Sequence, residues 1–326
     1  MKAVTLVKYD SEKPLLECRE RELSPLKPGE VQIRLHASPI NPSDLMFLRG
    51  LYGIKKKAPV AAGFEGSGTI TGLGEAVTQF RVGDKVSCVS GFQDGTWAEE
   101  FQTGVENCIL LKSNVSLDQG ATFFVNPMTA WAMVSQGQRE GHTAFVQTAA
   151  ASALGKMVIR LCHAKDIPLI NLVRRKEQKE DLEKIGAQNV LITTEPNHEK
   201  EFYKLAKKLT ATYAMDAVAG QQATQLVELL PYGSKVVCYG ALSEETFQVN
   251  SGIILFQKKR IEGFWLSSWI YDIGLEDFQK EAVKAQEYID SIFFSEIHKR
   301  FQLNDFESAI SYYKSNMSAG KVVFIP

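Results

Sequence analysis

The chain has 326 residues, 44% of them hydrophobic and 23% charged, with a formal net charge of −1. That length is enough for two domains with cores of their own. The near-neutral charge excludes the strong basic field of a nucleic-acid or anionic-membrane binder, and no apolar run reaches the roughly 20 residues of a membrane span. The five cysteines (Cys18, Cys88, Cys108, Cys162, Cys238) are scattered, with no Cys-x-x-Cys pair. This spacing argues against a disulfide framework and against a structural zinc lobe, and it suits a reducing cytoplasm.

In chain order, Met1–Val7 reads as a strand from the start, so no signal or transit peptide is expected. The first ~120 residues read as short strands broken by Gly and Pro, clearest at Val31–Ala37, Gly68–Leu73, Lys85–Val89 and Trp97–Gln102. Such a pattern predicts a small antiparallel barrel. After Asn126-Pro127 the texture changes. Apolar strand candidates at Thr143–Gln147, Leu169–Val173, Asn189–Ile192, Tyr213–Val218 and Ser234–Tyr239 alternate with helical stretches such as Lys176–Ile185 and Glu199–Leu209. This alternation predicts an α/β fold with a doubly wound parallel sheet of Rossmann type. Beyond Gly263, Leu275–Phe294 and Asn304–Asn316 are helix candidates, the second with Asn304 as N-cap and Glu307 placed for a capping box. Lys321–Ile325 reads as a closing strand. The expected division is 1–122, 123–263 and 264–326.

The first strand of the parallel region runs into Thr148-Ala149-Ala150-Ala151-Ser152-Ala153-Leu154-Gly155. In a dinucleotide fold this turn brings backbone N–H groups to a pyrophosphate at a helix N-terminus. Only Gly155 is a glycine, and small Ala and Ser residues fill the rest. Alone, the turn would also suit a tight helix start. The ribose-reading position, ~20 residues further on, holds Arg174-Arg175-Lys176. An acid there would favour NAD, whereas two guanidiniums suit a 2′-phosphate. The expected cofactor is therefore NADPH. The competing reading, a solvated basic start to a helix, must accept basic residues against the helix dipole.

Further segments carry a family resemblance. Ile40–Asp44 (INPSD) and Gly63–Gly68 (GFEGSG) resemble the segments that supply metal ligands in zinc alcohol dehydrogenases. Asn41 stands where that family has Cys, and Phe64 where it has His. An amide and a phenyl ring cannot replace a thiolate and an imidazole on zinc. With Ile40–Gly53 (INPSDLMFLRGLYG), Val125–Trp131 (VNPMTAW), Asn171–Arg175 (NLVRR), Gly263–Trp269 (GFWLSSW) and Gly320–Val323 (GKVV), the chain resembles the mitochondrial-type 2-enoyl thioester reductases. These are zinc-free medium-chain dehydrogenases/reductases close to the NADPH:quinone oxidoreductases.

The resemblance implies a GroES-like catalytic domain that the C-terminal segment returns to complete. It implies no metal, and a hydride passed to Cβ of an activated double bond. Tyr52 is the implied catalytic side chain, with Asn41 beside it. Asn126 and Thr129 are implied to line the nicotinamide side, and Ala151, Ser152, Ala153, Leu154 and Gly155 to meet the pyrophosphate. Arg174, Arg175 and Lys176 would meet the 2′-phosphate. Tyr239, Gly240, Ala241 and Leu242 would flank the cofactor, with Phe264, Trp265, Leu266 and Lys321 closing over it. Partners implied are a small-molecule or acyl-thioester substrate and a second copy in a homodimer, with neither nucleic acid nor membrane.

Each residue has a plainer reading. Tyr52 could be a half-buried packing residue, and Trp265 and Trp269 core aromatics on one face. Lys55-Lys56-Lys57 could attract the phosphates of coenzyme A or an acyl carrier protein, but such a run is more often a solvated face. Ser43 and Asp44 read as structural. Two rival functions stay open: a quinone reductase on the same fold, and a non-catalytic NADPH-binding protein.

Overall fold

The computed structural model of the chain describes residues 1–91, 94–317 and 319–326. It forms two units, Met1–Asn126 with Leu275–Pro326, and residues 127–274. The first unit contains β1 (Lys2–Lys8), β2 (Leu15–Glu20), β3 (Glu30–Pro39), α1 (Pro42–Leu48), β4 (Val60–Ala61), β5 (Glu65–Leu73), β6 (Lys85–Val89), β7 (Glu100–Gly104), β8 (Cys108–Leu110) and α2 (Leu117–Ala121). At the boundary α3 (Asn126–Arg139) begins. The second unit continues through β9 (Phe145–Gln147), α4 (Ala153–Ala164), β10 (Leu169–Val173), α5 (Lys176–Lys184), β11 (Val190–Ile192), α6 (His198–Leu209), β12 (Tyr213–Asp216), α7 (Gly220–Leu229), β13 (Lys235–Cys238), α8 (Ser251–Gln257), β14 (Arg260–Gly263) and α9 (Leu266–Ile273). The first unit resumes with α10 (Leu275–Gln286), β15 (Ile297–Gln302), α11 (Phe306–Ser315) and β16 (Lys321–Ile325).

In the first unit one sheet runs β15-β16-β3-β5-β6-β8, with β7 also paired to β3, and a second sheet runs β2-β1-β4. The period-2 alternation of β3 explains its place. Val31, Ile33, Leu35 and Ala37 are buried, while Arg34 and His36 face outward. β16 is apolar on both faces, with Val322, Val323 and Phe324 fully buried, and pairs antiparallel with β3. This pairing carries Lys321, at the strand's start, into the interior of the unit.

The second unit is a six-stranded sheet in the order β11-β10-β9-β12-β13-β14. Every neighbouring pair is parallel. This is the doubly wound order, and it reverses between β9 and β12, where such sheets open a ligand crevice at their C-terminal ends. Buried strands on both faces need near-continuous apolar runs, and β10 (LINLV) is one.

Several expected boundaries are corrected. The helix expected over Leu275–Phe294 stops at Gln286. The Gln286 side chain is drawn into bonds with the Lys112 N–H and the Leu110 carbonyl, and the following N–H groups close onto carbonyls three residues back. The last helix starts at Phe306 with Asp305 as N-cap, not at Asn304, and that cap makes no side-chain bond. A separate turn over Leu303–Asp305 buries Leu303 and moves the helix start on. The strand expected from Trp97 starts at Glu100, and Trp97 instead packs fully buried beside Phe324.

Candidate active site

In the first unit, α1 begins with Asn41 as N-cap and Pro42 at the first helical position. The Asp44 carboxylate reaches back to accept the Asn41 N–H at 2.7 Å, a capping-box bond. Its other oxygen accepts the Phe64 N–H at 2.9 Å. The segments INPSD and GFEG are thus tied together by one fully buried carboxyl. Gly63 makes the approach possible. Its φ is +93°, and a Cβ there would lie 2.3 Å from Trp97 Cδ1.

Behind Asp44 lies a buried polar chain. Asn41 Nδ2 donates to Glu65 Oε1 at 2.7 Å, and Lys321 Nζ donates to Asn41 Oδ1 at 2.6 Å. Lys321 Nζ and Glu65 Oε1 are 3.9 Å apart, and Glu65 Oε2 accepts the Val125 N–H at 2.8 Å. Burial pushes the Glu65 carboxyl up and the Lys321 ammonium down, and each charge partly offsets the other's shift. Burial also pushes Asp44 up to about 7, with the nearby Glu65 adding to it and its two accepted N–H bonds opposing it.

The Tyr52 ring packs against Phe64 with centroids 4.8 Å apart, and Phe64 packs edge-on against Phe47 at 5.2 Å. Lys56 departs from the expected solvated run. It is 7% exposed, its ammonium lies 5.5 Å from the Phe64 ring centroid, and Nζ donates to Ser90 Oγ at 3.0 Å. Burial lowers it to about 8. Tyr52, Phe64, Asp44, Asn41, Glu65 and Lys321 therefore form one continuous cluster. Lys321, expected near the cofactor, has its ammonium directed at Asn41.

In the second unit, the β9–α4 turn places Ser152 as N-cap, with Oγ accepting the Gly155 N–H at 3.0 Å. The helix turn sits so close to the strand end that a Cβ on Gly155 would lie 2.4 Å from the Ala150 carbonyl. A glycine at this position is therefore required by the close packing of the turn on the strand end. At the sheet's reversal point Thr148 Oγ1 donates to the buried Asp216 carboxylate at 2.7 Å. Asp216 also accepts the N–H groups of Val218 (3.1 Å) and Ala219 (2.9 Å). Ala219 is held at φ 63°, ψ −154°, a conformation natural only to glycine. Tyr239 follows β13, and its buried hydroxyl has no hydrogen-bond partner among the described residues. Phe264, Trp265 and Leu266 follow β14 at the same end of the sheet, Trp265 being 38% exposed. Asn126 and Thr129 lie in the first turn of α3, Thr129 buried.

Arg174, Arg175 and Lys176 stand exposed at the turn from β10 into α5. Neither guanidinium has a carboxylate partner among the described residues. These features fit a dinucleotide carrying an additional phosphate: a close helix N-terminus for the pyrophosphate, an orphaned phenol at the end of β13, and two guanidiniums without a carboxylate partner among the described residues at the ribose position. The donors at the zinc-ligand segments do not fit a metal. Asn41's amide is engaged by Glu65 and Lys321, Phe64 offers a ring, and no group of three His, Cys, Asp or Glu residues able to hold an ion occurs among the described residues. Sequence reading singled out neither Asp216 nor Gln178, and it took Lys56, which is buried, for part of a solvated run. The visible signal for Asp216 was an acid ending the otherwise apolar strand YAMD.

The fold and site define a two-unit oxidoreductase with a GroES-like part and a Rossmann part. The alcohol dehydrogenase GroES-like domain family matches residues 27–133, and the zinc-binding dehydrogenase family matches residues 153–285. The mitochondrial enoyl-[acyl-carrier-protein] reductase of Caenorhabditis elegans is 33% identical over 252 residues, covering 75% of this chain and 70% of its own. The Bos taurus enzyme is 29% identical over 272 residues, covering 82% and 72%. A Mesorhizobium loti structure assigned as an NADPH:quinone reductase superposes with a TM-score of 0.92 at 32% identity, covering 100% of this chain and 98% of that one. The enoyl thioester reductase of Candida tropicalis shares the fold, with a TM-score of 0.80 at 20% identity and coverage of 100% and 99%. The chain belongs to the medium-chain dehydrogenase/reductase superfamily, with the enoyl reductases and NADPH:quinone reductases.

Proposed function

We propose that the protein is an NADPH-dependent reductase of activated carbon–carbon double bonds, with 2-enoyl thioesters as its substrate class, working without zinc. The observation that carries this reading is the Tyr52 phenol packed on Phe64. Where a zinc enzyme would present an ion, this cluster offers a proton donor and a hydrophobic wall. A nicotinamide, when bound, would supply the hydride that Cβ receives. Tyr52 Oη donates a hydrogen bond to the thioester carbonyl oxygen, so charge moving onto that oxygen is stabilised as the enolate forms. A proton then adds to Cα; where Tyr52 Oη gives it, the phenolate regains its proton from solvent. Asn41 is the second polar group, its amide fixed by Glu65 and Lys321. Arg174, Arg175 and Lys176 hold the 2′-phosphate, and the turn from Ala151 to Gly155 holds the pyrophosphate. A homodimer and a cytoplasmic location complete the proposal; support for the dimer comes from the Candida tropicalis enzyme, solved as a heterodimer.

A quinone substrate is the second reading, supported by the likeness to the Mesorhizobium loti protein. Tyr52→Phe separates the two. It keeps the ring against Phe64 and removes only the hydroxyl. Single-turnover NADPH oxidation with an enoyl thioester should slow by about 10²–10³-fold, the usual worth of an oxyanion donor or general acid. A simple quinone, which needs no carbon protonated, should be reduced at close to the original rate. An unchanged enoyl rate would remove Tyr52 from the mechanism and favour the quinone reading.

A further inference from the structure

The turn that carries Arg174 and Arg175 is held by three polar anchors. The Arg174 and Arg175 N–H groups both donate to Gln178 Oε1, each at 3.1 Å. Thr194 Oγ1, just past β11, donates to the Arg174 carbonyl at 2.9 Å. The preceding Val173 carbonyl accepts the Thr193 N–H at 2.7 Å. One glutamine oxygen therefore takes up two adjacent backbone donors at the start of α5, donors that at a helix N-terminus ordinarily face an anion. A phosphate at this turn must then be gripped by the side chains. Where the two guanidiniums stand depends on a backbone that Gln178 fixes.

We propose that Gln178 is a positioning residue for cofactor discrimination: by binding both N–H groups of the Arg174-Arg175 turn, it sets the two guanidiniums to read a 2′-phosphate. This rests on the NADPH reading above. Gln178 does not touch the phosphate. It acts by removing the freedom of the turn, so that paired charge-assisted donors meet the anion at a lower ordering cost. On the NADPH reading the pyrophosphate belongs to the β9–α4 turn, so the contribution of Gln178 falls on the 2′-phosphate.

The test uses fragments of the cofactor, so that neither catalysis nor the identity of the substrate enters. Dissociation constants for 2′,5′-ADP and for 5′-AMP are measured calorimetrically on the full chain. Gln178→Met keeps the length of the side chain and deletes the acceptor. It should weaken 2′,5′-ADP about five- to tenfold and leave 5′-AMP within twofold. Thr194→Val loosens the same turn from outside the helix, and should lower the same ratio about two- to threefold; it carries the test if Gln178→Met fails to fold. Arg174→Ala and Arg175→Ala serve as reference arms. If they lower the ratio while Gln178→Met and Thr194→Val leave it at the original value, the positioning role is overturned and the NADPH reading stands. If the arginine variants leave the ratio unchanged, both fall. A merely structural role for Gln178 would weaken the two fragments equally, and that result also refutes the proposal.

Discussion

Lys321→Met tests the buried chain at its most sensitive point. The side chain is nearly isosteric up to the ammonium, so packing beside Val322 and Phe324 is kept, while Glu65 loses its countercharge. Two charges 3.9 Å apart at an effective dielectric of about 20 attract by roughly 4 kcal/mol. Removing one partner of a buried pair typically costs about 3–5 kcal/mol, because the other is left uncompensated. Glu65 can escape part of that cost by holding a proton. Its folded pKa would then lie further above the unfolded value of about 4.3, the folded state would bind more protons than the unfolded, and stability would fall as pH rises, by up to ~1.4 kcal/mol per pH unit. Urea unfolding should therefore show a destabilisation of about 3 kcal/mol at neutral pH that is smaller at pH 5. Lys321→Met/Glu65→Gln, which leaves no charge to solvate, should recover most of the loss. Additivity of the two substitutions within ~0.5 kcal/mol, or a loss that does not change with pH, would refute the coupling.

Asp44, raised to about 7 in the folded state, should impose a pH dependence of its own. Between the unfolded value of about 3.9 and pH 7 the folded chain keeps a proton that the unfolded chain has released, so stability falls as pH rises through that window. Asp44→Asn should flatten this slope in unfolding curves taken from pH 4 to 8; an unaltered slope would assign it to other groups. Ala219→Gly should raise stability by about 1 kcal/mol, since glycine adopts φ 63°, ψ −154° without the 1–3 kcal/mol strain that a Cβ brings, less its own entropic cost. A fall in thermal midpoint would contradict the strain argument. Elemental analysis of protein purified without chelator should find far less than one zinc per chain, and a stoichiometric amount would falsify the metal-free mechanism.

The sequence by itself determined the local periodicities. VQIRLHA was legible as a short strand between turn residues, LINLV as an apolar strand, and the stretch that follows it from Lys176 as a helix. These follow from neighbours in the chain, through side-chain spacing of two or 3.6 residues. INPSD and GFEG were legible only through their resemblance to the metal-ligand segments of zinc alcohol dehydrogenases; that Asp44 ties them together came from the structure. Tertiary structure decided what no local pattern carries. Three adjacent lysines look alike in sequence, yet Lys56 turns inward to donate to Ser90 Oγ, 34 positions on, while its neighbours stay more exposed. Lys321 lies 280 positions from Asn41, and only the pairing of β16 with β3 brings the ammonium to the amide. The end of α10 at Gln286 was set by two backbone groups of β8 and its following loop. In each case the deciding partner is distant in sequence, and burial of a polar group is tolerated only where such a partner exists.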